Sequence, residues 1–194
     1  MGKNIYVYEV DAEDKITSVS DNWEPFAREN AWLQGTCRKN IIGQSMWSFI
    51  HDPETRMIYK YMHEAVRSGK KIGPIPFRCD SPRERRYLEL IMRPLDDGHI
   101  EITSRIVKTE KREYTPLLEK ERENSDERLR ICSMCKKIAT DEGEWLEIED
   151  YVSRFALFER DTLPTLSHSL CPDCQEATMN QIESELADAG RNSA

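Results

Sequence analysis

Long hydrophobic runs are missing from this 194-residue chain: no stretch of 18 apolar residues occurs, which leaves no candidate transmembrane helix. The opening residues, MGKNIYVYEVDAEDK, carry acidic side chains where an export signal needs a continuous apolar stretch, so a cytoplasmic protein is expected. Glycine is scarce, at 8 residues, and none is arranged as a phosphate-cradling loop; single positions such as Gly69 and Gly73 are explained by turns. Kinase signatures and a Gly-x-Ser-x-Gly elbow are also absent, so an enzyme reading has no residue pair to rest on. A basic excess is missing too. The net charge is -8, and it is uneven: residues 1–107 carry 16 basic and 16 acidic side chains, residues 108–194 carry 12 and 20. An acidic half repels a polyanion, which argues against nucleic acid as the partner.

What is present is a heavily solvated chain, 33% charged, with 38% apolar residues for its core. Its length suits one domain plus a smaller accessory unit. In the first segment, NIYVYEV sets Ile5, Val7 and Glu9 against Tyr6, Tyr8 and Val10, and AEDK then turns the chain into ITSVS, a hairpin pattern. Asp21 is placed to cap a helix over NWEPFARENAWL, with Trp23, Phe26, Ala27 and Asn30 on one face and Gly35 at its end. After SMWSFI, Asp52 followed by Pro53 reads as an N-cap with proline at the first helical position. The helix PETRMIYKYMHEAVRSGK then points Met57, Ile58, Tyr61, Met62, Ala65 and Val66 inward and stops at Gly69. Three strand-like runs follow: KIGPIPFRCD, RRYLELIMRPL and, beyond the turn DDG, HIEITSRIVK. Two strands, helices and three more strands imply an α+β fold, a five-stranded antiparallel sheet with helices on one face.

This order, with VSDNWEPFAREN, IIGQSMWSFI and RRYLELIMRPL, resembles the PAS family of sensory domains over residues 4–107. The resemblance implies a PAS-like sensory domain spanning residues 1–107, a homodimer formed through it, and a cavity between sheet and helices for a small-molecule ligand. Trp32, Trp47, Phe49, Tyr61, Phe77 and Tyr87 are the candidate lining of such a pocket, against the alternative that they are ordinary core. Haem and flavin are the less favoured occupants. His63 lies where haem-binding relatives place an axial ligand, with His51 before it, and TCRKN offers Cys37 and Arg38 as a partial match to the flavin-reactive motif, with Thr36 departing from it. Arg78, Arg85 and Arg86 flank CDSPRERR, where Asp80, Glu84 and Glu89 compensate them, so a solvated strand edge is expected, with Cys79 a buried thiol.

Residues 108–130, KTEKREYTPLLEKERENSDERLR, are dense in mixed charge and read as a solvated helical or partly disordered linker; a signalling helix is the sharper alternative. From residue 131 to 194 the chain carries its strongest signal. Four of its six cysteines form two Cys-x-x-Cys pairs, Cys132 with Cys135 and Cys171 with Cys174. Each such turn presents two thiolates to one ion, and two turns complete the tetrahedral shell of a structural zinc. The 35 intervening residues must fold compactly, and the helix EWLEIEDYVSRFA, with Trp145, Ile148, Val152 and Phe155 on one side, provides for that. Disulfides fit poorly without an export signal, and a single redox pair does not explain two distant ones; iron in the same four-sulfur shell stays open. His168, three residues before Cys171, is a candidate outer hydrogen-bond donor or alternative ligand. A closed sulfur shell leaves no position for a reacting water.

CSMCKKIATDEGEWLEIEDYVSRF and LSHSLCPDC resemble a short cysteine-rich module at the C-terminal end of bacterial PAS-containing signalling proteins, over residues 131–176. The resemblance carries the metal positions onto Cys132, Cys135, Cys171 and Cys174. Together the two resemblances imply a bacterial sensor or adaptor in signal transduction that binds a ligand or an unidentified partner protein. A zinc-dependent transcription regulator and a haem or redox sensor are the alternatives.

Overall fold

The computed structural model describes residues 4–25, 38–119 and 122–191. Strands β1 (Ile5–Val10) and β2 (Ile16–Val19) form the opening hairpin. A single helical turn α1 (Arg38–Ile41) and helix α2 (Pro53–Arg67) follow, then β3 (Ile72–Arg78), β4 (Glu84–Pro94) and β5 (Ile100–Lys111). All five strands pair antiparallel in the order β2-β1-β5-β4-β3. The hairpins β3–β4 and β4–β5 are local, whereas β1 pairs with β5 across most of the segment, closing the sheet around its first strand.

Strand alternation decides which face is covered. Val10, Leu90, Met92, Ile100 and Ile102 point to one side and are buried, and α2 lays Ile58, Met62, Ala65 and Val66 against them. The helix begins as its sequence requires. Asp52 Oδ2 accepts from the Thr55 amide at 2.7 Å, Pro53 holds the first helical position, and Gly69, at φ 92, takes the left-handed conformation that ends the helix. Met57, expected on the inward stripe, is instead half exposed, because the buried stripe rotates to include Thr55 and His63. The helix expected from Asp21 to Leu33 is described only in its first residues; Phe26, Ala27, Asn30, Trp32 and Cys37 lie outside the described residues.

The described residues of the segment 108–130 form strands and a short turn rather than the expected helical linker. β5 continues to Lys111 in register with β4, Leu117 is buried, and β6 (Asn124–Cys132) is already under way before the first cysteine. Charge density misleads here because these strands keep their ladder hydrogen bonds while their charged side chains face water, as where Lys108 pairs with Glu110 at 2.5 Å.

The rest of the chain forms a second sheet from β6, β7 (Ile138–Ala139), β8 (Trp145–Leu146) and β9 (Leu163–Ser169), in the order β8-β7-β6-β9. Helix α3 (Ile148–Arg154) lies between β8 and β9, and the long helix α4 (Pro172–Arg191) follows. The expected helix is shorter than its periodicity suggested: Trp145 and Leu146 pair with Ala139 and Ile138 as strand, and Ile148, Tyr151 and Leu157 rather than Trp145 and Val152 are buried. Among the described residues, no helix is long and apolar enough to cross a membrane.

The two sheets share a core. Cys132, Leu170, Cys171 and Ile182 pack in one buried cluster with Met62, Ile75 and Met92. The junction follows from an irregularity in β3. Its register with β4 shifts between Ile72 and Ile75, and at Gly73, φ 99, a Cβ would sit 2.2 Å from the Leu90 carbonyl oxygen, so only glycine fits. The polar backbone groups near this shift are met by α4: the Gly73 amide donates to Glu185 at 2.8 Å, and Gln181 donates to the Pro74 carbonyl at 2.7 Å.

Candidate metal centre

Cys132 is the last residue of β6. The chain reverses through Ser133, Met134, Cys135 and Lys136 and returns as β7, with the Cys132 amide donating to the Lys137 carbonyl and the Lys136 amide to the Cys132 carbonyl. Lys136 adopts φ 63, the left-handed step that closes the turn. The second pair uses different local physics. Cys171 occupies the N-cap of α4, its carbonyl accepting from Gln175 at 3.0 Å and its Sγ from the Cys174 amide at 3.4 Å, while Pro172 supplies a first helical residue that needs no N–H partner. The sulfur stands where serine or aspartate usually caps a helix, and the positive end of the helix dipole favours its thiolate.

Parallel pairing brings these turns together. β6 and β9 run side by side with Cys132 opposite Ser169, and the Ser133 amide donates to the Ser169 carbonyl at 2.7 Å. The 35 intervening residues are the crossover that any parallel pair requires. As a result, the four Sγ atoms all lie within 4.8 Å of one another, with Cys132 and Cys171 buried and Cys135 and Cys174 half-buried. The Cys135 and Cys171 sulfurs are 3.7 Å apart. A tetrahedron with metal–sulfur bonds of about 2.3 Å has edges of about 3.8 Å, so this spacing fits a four-coordinate ion.

The electrostatics agree. Hydrogen bonds from the Cys135 and Cys174 thiols, with further ones from the Cys171 and Cys135 amides, hold Cys132 well below the ordinary thiol range. Cys135, bonded to that thiolate, is pushed up to about 12, and Cys174 is raised by the same neighbours. Four sulfurs at this separation cannot all carry charge by themselves, since like charges this close disfavour one another. A cation removes the conflict, and four thiolates with amide donors are the donor set of a structural site.

His168 is not part of the cluster: it is exposed on β9, while the mutually close candidate ligand atoms come from the four cysteines alone among the described residues. The cluster is anchored to the first sheet by residues that no linear pattern marks. Glu54, in the first turn of α2, accepts from the Ser169 hydroxyl and the Leu170 amide, each at 3.0 Å. The Thr55 hydroxyl, which gives its proton to Asp52, is hydrogen-bonded to the Ser133 hydroxyl at 3.0 Å, and the Arg78 amide donates to the Met134 carbonyl at 2.7 Å. Arg78 and Arg86, expected at a solvated edge, are buried instead, and Glu147 at the start of α3 meets Arg78 there. Arg78 pairs with Asp80 and with Glu147 at 2.8 Å, Arg112 with Asp80 at 3.1 Å and Arg85 with Glu149 at 2.5 Å, while Glu84 lies 3.8 Å from Arg86 and Glu89 pairs with Arg105. Cys79 is half-buried beside this network.

Among the described residues, the aromatic candidates do not line one common cavity. Phe49 lines a cavity of about 230 Å³ with Tyr8, Trp23 and Tyr59 under α2. Trp47 stacks near His63, Tyr61 lies in a separate groove with His51, and Tyr87 donates to Glu110. Phe77 packs against the shared core and Trp32 lies outside the described residues. The cavity is smaller than the roughly 300–1,000 Å³ of ordinary small-molecule sites. His63 does not line it. Its Nδ1 is 2.7 Å from Asp14, which also accepts from Arg67 at 2.6 Å and from Trp47 at 2.9 Å, and burial lowers the pKa of the imidazole against the pull of Asp14. The ring ties the first hairpin to α2.

No family model matches the chain, and no curated protein matches it. A solved structure, that of a domain of HTR-like protein from Haloarcula marismortui, is similar to part of it, at 16% identity and a TM-score of 0.36, over 54% of this chain and 98% of that one. The chain is thus an α+β protein with a five-stranded antiparallel sheet and a four-cysteine cluster suited to a metal ion.

Proposed function

We propose that this protein is a sensory or adaptor protein in which a PAS-like domain is fastened to a structural zinc module, with output passed to a partner protein rather than by catalysis. The observation that carries the reading is the four-sulfur cluster seated against the open edge of a sheet ordered β2-β1-β5-β4-β3. Cys132, Cys135, Cys171 and Cys174 hold the ion, which supplies a fixed tetrahedral cross-link between β6 and the start of α4. The chain's own amides at Cys171 and Cys174 donate to sulfur and orient it. His168 serves as an outer residue, and a homodimer through the PAS-like domain belongs to the same reading.

A sensor of this kind responds when a ligand or partner shifts the first sheet or α2, and the module transmits that shift because Glu54 and Thr55 sit at the helix end nearest the cluster. Metal analysis of purified protein tests the centre. Near one equivalent of zinc is expected, lost in Cys132→Ser and Cys174→Ser and retained in His168→Ala. Visible sulfur-to-metal absorption with iron in place of zinc overturns the metal assignment, and zinc lost only in His168→Ala overturns the ligand set.

A further inference from the structure

A second cavity, of about 350 Å³, lies where the β3–β4 turn, the segment between β5 and β6, and the second sheet meet. Its volume is within the range of small-molecule sites. Leu117 and Ile131, each 1% exposed, form an apolar wall. Two cations, Arg122 and Lys136, line it as well.

Arg122 donates to the carbonyl of Leu163 at 3.0 Å and to those of Pro164 and Leu117, and its Nε is buried without a hydrogen-bond partner. Lys136 donates to the Ser133 carbonyl at 2.8 Å. Among the described residues, no carboxylate forms an ion pair with either. The acids on the same wall are otherwise engaged: Asp80 is held by Arg78 and Arg112, and the exposed Glu119 accepts from Tyr114. A half-buried guanidinium bonded to neutral carbonyls, with the exposed Glu119 acting on it only through space, has its charge weakly compensated, and an anion in the cavity stabilises it. Lys136 lies in the field of Cys79, Asp80 and the Cys132 sulfur, so Arg122 is the principal anchor. We propose that this cavity binds a small ligand with one carboxylate on an apolar body, the carboxylate meeting Arg122 and the body lying on Leu117 and Ile131. This site is separate from the metal cluster and from the cavity under α2.

Cys79 opens into the same cavity and reports on it. Trypsin releases it in the peptide CDSPR, free of every other cysteine. The metal-loaded full chain is treated with iodoacetate or iodoacetamide; in either case the thiolate sulfur bonds the reagent's methylene carbon and iodide leaves. Relative to a short cysteine peptide, the ratio of anionic to neutral alkylation at Cys79 should rise by about fivefold, through the local positive potential, and fall back in Arg122→Gln. In the unaltered protein, which removes any question of misfolding, octanoate should slow the neutral alkylation while 1-octanol and octylammonium do not. A ratio equal to that of the peptide, or protection by octanol or octylammonium equal to that by octanoate, overturns the proposal.

Discussion

The two sheets of this protein are held together by different means. The five-stranded sheet has long strands, mostly local hairpins and a continuous aliphatic face covered by α2. The four-stranded sheet has two strands of only two residues each, a parallel pair that depends on a long crossover, and a small core around Ile131, Ile138, Ile148 and Leu157. Such a core is thin for an independent unit, and units of this size are stabilised by a metal or by cross-links. The difference teaches where the cysteines are needed. They sit at the seam, at the end of β6 and the start of α4, where the aliphatic core of the first sheet gives way to the smaller one.

The contrast is broken most forcefully by removing the ion proposed for the four cysteines. On chelation, amide exchange in β6 and at the start of α4 should accelerate by roughly a thousandfold, since metal binding and folding are coupled there. β1 and β5 should change little, and β3, whose Gly73 and Arg78 amides bond to α4 and to the Cys132–Cys135 turn, should fall between. Uniform acceleration in every strand would show that both sheets unfold as one unit. Met62→Ala attacks the other side. Its side chain is 1% exposed in the aliphatic core, and truncation should cost about 2–5 kcal/mol in denaturant unfolding while zinc content stays near one equivalent. A parallel loss of zinc would mean that the core of α2 itself sets the sulfur geometry. The mildest test cuts the link between them. Glu54→Ala removes the acceptor for Ser169 and Leu170 and should cost about 1–2 kcal/mol. In a double-mutant cycle with Ser169→Ala, the coupling should be about 0.5–1 kcal/mol, and an additive result would assign the seam to apolar packing alone.

Much of the first sheet was legible before any coordinates. Asp52 and Pro53 announce the start of α2, Gly69 its end, and the alternation in RRYLELIMRP sets Leu88, Leu90 and Met92 on one face. The cysteine pairs were equally plain, because Cys-x-x-Cys is a local geometry that needs no partner to be recognised. The arginines near Cys79 read as solvated because composition assigns a charged residue to solvent, whereas Arg78 is buried against Asp80 and Glu147 and Arg112 against Asp80 and Glu149; the charged stretch at 108–130 contains strand whose ladder partners lie elsewhere in the chain. The aromatic set is a different case. Ring content says nothing of direction: of the five candidates among the described residues, Phe49 lines the cavity under α2 and the other four do not.

The sequence by itself determined the elements whose causes are local: hairpins, the capped helix, and two sulfur turns, each dictated by side chains within a few residues of one another. Only the tertiary structure decided that the two turns face a common point, that α4 answers the irregularity at Gly73, and that Glu54 reaches across to Leu170. Those contacts join residues 36 to 116 positions apart, and at such separations it is the register of β6 against β9, not any local preference, that sets which atoms meet.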